Sequence, residues 1–423
     1  MIARSIICIA IFLVALLNSS IPTSSLQADD WPQILGPARD GIANGESLLP
    51  RWPAGGPEEL WTRPVGEGFA GVAVKGNSVI LFHRKGNEEI VDALTADTGK
   101  AQWTSSSTCS YRGGISSDTG PRCVPLVTDN RVVVYGVEGM LRCLNFADGK
   151  EIWERDTWTD FGAPEGYFGA GSTPVVVGDK VIVNVGGRTN AAVVAFSLET
   201  GKTLWQNFDD TASYSSPVAA SIDGTEHVFV VTRLNVVSLN PADGSLRFQF
   251  PFGMRGPTVN GATPVVVKDH LFVSSSYRVG SVWAKISDAS SLNVASGEDL
   301  LATQYATPIK YKDVLFAVDG RQDSGTATIK CIDPIAQKVL WKRGDFDYGT
   351  MLRVNDDLLF LSCGGELIRL SADLQKYQEI HRSTVLADTP QGYRLPAISN
   401  GRLFVRDNDV LKCLRVGKTV VAK

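Results

Sequence analysis

No Cys-x-x-Cys pair, no histidine cluster and no surplus of basic side chains occurs in this 423-residue chain. Each absence excludes a chemistry. The four histidines, His83, His227, His270 and His381, lie far apart and lack ligand spacing, so no metal site is expected. His227 and His270 fall at turn-to-strand positions and read as exposed or half-buried. The 41 Lys and Arg side chains are outnumbered by 45 Asp and Glu, so nucleic acid is not an expected partner. No Gly-x-Ser-x-Gly elbow, phosphate-cradling loop or paired-carboxylate motif is present. A glycosidase that gathers carboxylates from distant parts of the chain is the hydrolase reading left open.

One apolar run stands at the start. Ile6 to Leu17 follows Arg4 and precedes a small, polar stretch ending at Ala28. The run is shorter than the roughly 20 residues of a membrane span, and it reads as a signal peptide over 1–28. An uncleaved anchor is the alternative. Cys8 lies early in the run, so lipid attachment at a mature N-terminal cysteine is not supported. No later stretch approaches spanning length, and the mature chain is expected to be a periplasmic or secreted monomer without a membrane span. In an oxidising compartment, Cys109 and Cys123 share one polar loop and are candidates for a disulfide. Cys143, Cys331 and Cys413 occupy one repeat position where other copies carry Ala93, Ala195 or Ser238, and they read as small packing residues.

What the chain has is self-similarity. The clearest copy starts at Pro174 and runs strand, Gly178-Asp179 turn, strand, polar turn, strand, Thr200-Gly201 turn, then a strand carrying Trp205. Short β-branched runs broken by turn residues argue strands over helices. Copies ending at Trp103, Trp153, Phe248 and Trp341 repeat that order at intervals of about 46 residues, the length of a four-stranded blade. The eighth copy stops after three strands, and Glu59-Leu60-Trp61 matches the strand it lacks. The chain is therefore expected to be all-β, an eight-bladed β-propeller of four-stranded antiparallel blades over 59–417, closed by an N-terminal strand. Seven blades is the alternative, because the fifth and seventh copies are weak. Residues 29–58 are expected to form an irregular arm, packed on the propeller or serving as a linker, and 418–423 a tail.

The Ala-x-x-x-x-Thr-Gly-x-x-x-Trp pattern of Ala195 to Trp205 resembles the tryptophan-docking repeat of quinoprotein dehydrogenases. The whole chain is similar to the PQQ-like repeat propellers, the family that includes the outer-membrane assembly factor BamB. Trp31-Pro32-Gln33 through Gly41 resembles a leader of exported members. In such repeats Trp61, Trp103, Trp153, Trp205 and Trp341 dock neighbouring blades, burying about 150–250 Å² each. The resemblance implies an exported, non-catalytic propeller that binds a protein, peptide or glycan in the cell envelope, as a scaffold and without a cofactor. Its alternative implication is an oxidoreductase using PQQ with Ca²⁺. Those enzymes hold the quinone between a tryptophan and adjacent cysteines, and the metal through Glu and Asn. Adjacent cysteines are absent here. Asp160, Glu165 and Asn260 lie in loops on the expected face and read as solvated side chains.

Two residue types recur on that face, which carries the long segments 104–122, 155–171, 208–216, 249–261 and 381–394. The middle turn of the blade carries Arg84, Arg188, Arg233, Arg278, Arg321 and Arg406. Phe69, Tyr214, Tyr305, Tyr348 and Tyr393 precede innermost strands. An arginine ring and an aromatic ring around one channel mouth are expected, suited to carboxylates and to planar or sugar rings.

Overall fold

The computed structural model describes residues 30–115, 117–256, 258–286, 292–297, 300–387 and 394–419. It contains eight four-stranded antiparallel sheets, arranged as an eight-bladed propeller. Seven blades are consecutive in sequence. The eighth joins Ala397–Ser399, Arg402–Arg406 and Val410–Arg415 to the N-terminal strand Glu58–Pro64, with Trp61 opposite Cys413. The second strand of a blade, such as Lys180–Gly187, is buried along nearly its whole length. The outer strand Thr203–Asn207 buries chiefly Trp205. Central strands are covered on both faces by adjacent blades, which is why their apolar runs are nearly continuous.

One contact repeats around the ring. Trp61, Trp103, Trp153 and Trp205 each donate from the indole Nε1 to a carbonyl of the next blade, on Ala96, Phe146, Leu198 and Pro241, at 2.9–3.1 Å. Trp341 donates to the Asp373 carbonyl at 2.8 Å. A Cβ at Gly99, Gly149, Gly201 or Gly244 would stand less than 3 Å from the ring below it, so the turn over each indole has no room for a side chain. The residue paired with each docking ring on the third strand is small: Ala93, Cys143, Ala195, Cys331 and Cys413, with Ser238 opposite Phe248. The cysteines at this position are buried and free.

The fifth blade inverts the pair, with Trp283 on the third strand opposite Ala295. The seventh blade also breaks the rule, and there the arm repairs it. Arg369 stands at the small-residue position with His381 opposite, so this blade has no indole of its own. Trp52 fills the gap from the arm. Its Nε1 donates to the Val416 carbonyl of the eighth blade at 3.0 Å, its ring meets His381 edge-on at 5.4 Å, and the Arg369 guanidinium lies 5.5 Å from the ring centre. The rest of the arm crosses the channel. Trp31 bridges Val74 of the first blade, Ile42 bridges Arg353 of the seventh, and Glu46 accepts from Asn400 and Gly401 of the eighth. Buried Arg39 donates to the Thr173 and Pro174 carbonyls of the third blade, and burial lowers its pKa to about 9.

Two expectations are corrected. Cys109 and Cys123 are free thiols rather than a disulfide, because they belong to different packed groups. Cys109 packs with Tyr111 and Val137, whereas Cys123 lies in the core beside Leu126 and Tyr135. Burial holds both thiols up at about 12. His227 is fully buried, with Nδ1 2.7 Å from the Ser238 hydroxyl and its ring stacked on Phe229. The segment 1–28 lies outside the described residues.

If Trp52 acts as the seventh blade's docking ring, Trp52→Ala should destabilise the protein by about 3–5 kcal/mol in chemical denaturation, as Trp153→Ala should. A loss below about 0.5 kcal/mol, the scale of an ordinary surface substitution, would contradict that role.

Candidate functional site

In an antiparallel blade, the turn between the second and third strands and the connection to the next blade emerge at the same end. Three cavities are lined chiefly by those segments. The first is a central well of about 180 Å³, walled by residues just before the innermost strands of all eight blades, from Phe69 to Leu395, and floored by Ile34 of the arm. Hydroxyl side chains knit its wall. Thr173 accepts from Val124 N, Ser216 from Thr173 N and Thr307 from Thr263 N, each one blade further on, at 2.9–3.0 Å.

The two expected rings do not both form. Arg84 and Arg406 are buried, and their guanidinium groups are spent on main-chain carbonyls. Arg84 holds Tyr111, Thr119 and Cys109 of one loop, and Arg406 holds Gly66 and Ala70. Arg321 pairs with Asp323 and lies 4.2 Å from the Tyr277 ring centre. Arg188 and Arg278 are exposed and Arg233 is half-buried. The arginines therefore divide into loop anchors and a smaller exposed set. Of the aromatics, Phe69, Tyr214 and Tyr305 line the well. Tyr348 is buried, and its hydroxyl accepts from the backbone N–H of Gln304, Tyr305 and Ala306 at 3.0 Å. Tyr214 does the same for Tyr167 and Phe168. The aromatic before the inner strand thus pins the preceding blade's loop. Tyr393 lies outside the described residues.

The well does not fit PQQ with Ca²⁺. Among the described residues no Asp, Glu, Asn or Trp lines it, so these residues offer neither carboxylates for a hard cation nor an indole plate for a quinone. Its one charged residue, Arg122, donates to the Asp118 and Gly120 carbonyls. Asp160 pairs with Arg155 at 2.7 Å, Glu165 lies at the rim of another cavity, and Asn260 clamps the Thr232 and Arg233 carbonyls. These three side chains do not converge. Among the described residues no cluster of three His, Cys, Asp or Glu side chains forms.

The other two cavities, of about 200 and 490 Å³, adjoin between the third and fourth blades and share Pro164, Tyr167, Thr211 and Arg233. Arg188, Arg255 and Asp209 line the outer part, and Trp158, Glu165 and Asn184 the inner. Sequence reading missed Trp158, Asn184 and Arg255, which sit at non-repeating positions of the loops or within a strand. It also missed the buried ion pair of Arg394 with Asp118 at 3.3 Å, which ties the loop before the eighth blade to the loop before the second.

A fold of tryptophan-docked PQQ-like repeats closed into eight blades defines a propeller class shared by binding proteins and enzymes. Within it, the chain belongs to the family described as outer membrane protein assembly factor BamB, whose match covers residues 86–343. BamB of Yersinia pestis is 26% identical over 197 residues, 36% of this chain and 48% of that protein, so the match spans about half the relative's length. The crystal structure of BamB from Moraxella catarrhalis superposes with a TM-score of 0.62 at 15% identity, covering 85% of this chain and 99% of that one. Quinohemoprotein alcohol dehydrogenase from Comamonas testosteroni gives 0.61 at 14% identity, covering 93% and 81%. At such identities the two structures establish the fold alone.

Under the loop face, Glu89 is buried and accepts from Val137 N at 2.9 Å. Burial, with Glu138 nearby, raises its pKa to about 7. The folded value lies above the unfolded one, so this contribution to stability is complete below about pH 4.5 and is lost as pH rises to about 7. Glu89→Gln keeps the acceptor and should remove a decline of roughly 2–3 kcal/mol over that window in denaturant titrations. An unchanged pH profile in the variant would contradict the assignment.

Proposed function

We propose that this protein is a non-catalytic envelope propeller whose loop-rich face docks a protein partner. The observation that carries the reading is the coincidence, on one side of that face, of exposed apolar side chains with arginines that no carboxylate pairs. Ile115 is 62% exposed, and Tyr167 and Met254 are 37% exposed. Tyr167 and Arg255 share the outer cavity, and the Met254 carbonyl accepts from Thr258 beneath it. No ion pair within 4 Å involves Arg188, Arg233 or Arg255 among the described residues. Apolar anchors bordered by arginine are the composition of a protein interface. The other exposed aliphatics, such as Ile152, Leu204 and Leu340, stand singly on the outer strands of different blades and form no patch. Membership of the BamB family supports a partner in the envelope. No helix among the described residues is long and apolar enough to cross a membrane.

The oxidoreductase reading draws support only from fold, and the lining of the well argues against it. Calorimetric titration with PQQ and Ca²⁺ should give no binding; tight stoichiometric binding would reverse the preference. For docking, the paired changes Ile115→Asp with Met254→Asp, and separately Arg188→Ala with Arg255→Ala, should each weaken retention of a co-purified envelope partner roughly tenfold or more. Their unfolding midpoints should match the parent. Retention unaffected by both pairs would place the interface elsewhere.

A further inference from the structure

We propose that the groove between the third and fourth blades is a saccharide-binding site. Asn184 supplies the first reason. It lies on the strand Lys180–Gly187, is 1% exposed, and its Nδ2 donates to the Val231 carbonyl of the next blade at 3.1 Å. That bond fixes the amide's orientation and leaves Oδ1 without a partner, on a residue that lines the inner cavity. A buried acceptor without a donor is costly unless a ligand or water supplies one.

The donor side is equally fixed. Arg233 Nη2 is held by the Gly256 carbonyl and, at 2.9 Å, by the Thr258 hydroxyl, while Nη1 has no partner. The turn beneath Arg233 is braced by Asp210, which accepts from the Thr232 hydroxyl, Leu234 N and Asn235 Nδ2. Asn184 and Arg233 line the same cavity, which therefore has one fixed acceptor and one fixed donor among its lining residues. Adjacent hydroxyls of a sugar both donate and accept, and they satisfy such a pair together.

Charge and walls narrow the ligand further. Arg188, Arg233 and Arg255 are balanced by Asp209, Asp210 and Glu165, so the groove selects neither a strong anion nor a cation. Trp158 and Tyr167 line the inner cavity, with Trp158 resting on Gly139, and aromatic faces stack on the C–H faces of sugar rings. A peptide strand would need an open sheet edge to pair with, and loops rather than a strand edge border this groove. The site shares the docking face but does not rest on the docking reading.

The test is calorimetry and saturation-transfer NMR on the full chain with glucose, galactose, mannose, N-acetylglucosamine and their di- to tetrasaccharides. At least one should bind. Exposed Tyr167→Ala and the near-isosteric Asn184→Leu, which removes the Oδ1 acceptor, should each weaken that saccharide roughly tenfold, the scale of one lost stacking or buried hydrogen-bond contact. The Ile115→Asp, Met254→Asp pair should retain it, which separates this site from the docking surface. No binding across the panel would overturn the proposal. So would saccharide binding that both groove variants leave unchanged, or an acidic peptide competing for the groove more strongly than any saccharide.

Discussion

The structure depends on one contact, an indole on the outer strand of one blade donating to a backbone carbonyl at the turn of the next. Each dock satisfies a buried donor and covers a large apolar ring, with a small residue opposite and, at four of the five, a turn without a side chain above. Ala93, Cys143, Ala195, Cys331 and Cys413 provide the first, and the turn glycines over Trp61, Trp103, Trp153 and Trp205 the second. Where Arg369 makes the local geometry unsuitable, the contact is kept and the tryptophan arrives from elsewhere. The arm is thus part of the ring rather than an appendage. Trp52 seals the seam between the seventh and eighth blades, while Ile34 floors the central well.

A ring fastened in this way leaves one face free to vary. The face of short turns is bound by the geometry of the docks. The loop face is built on separate anchors: buried Arg84 and Arg406, the tyrosine hydroxyls of Tyr214 and Tyr348, and the ion pair of Arg394 with Asp118. These hold long loops in place without using their outward side chains. The groove and the apolar rim beside it stand on that support, which is what a binding surface needs from its scaffold.

The architecture was legible because the docks repeat. Trp103, Trp153, Trp205 and Trp341 recur with the same turn, and the incomplete eighth copy together with Trp61 predicted the closing strand. The surface was less legible, since position in a repeat does not tell an exposed arginine from a buried one. Arg84 and Arg188 share a turn position, yet Arg84 turns inward to carbonyls of a long loop and Arg188 faces solvent. Cys109 and Cys123 show the same limit, because sharing a loop does not bring two side chains into one packed group. Trp52, Trp158 and Asn184 carry no repeat signal.

The account's central claim is that partners meet the loop face over the second to fifth blades. Photo-crosslinking in the native envelope tests it most directly, with a benzophenone side chain placed in turn at positions 115 and 254 and, on the short-turn face, at 179 and 223. A discrete crosslinked species from the first pair and none from the second is the predicted result. Crosslinks of equal strength from both faces, or from the short-turn face alone, would contradict it.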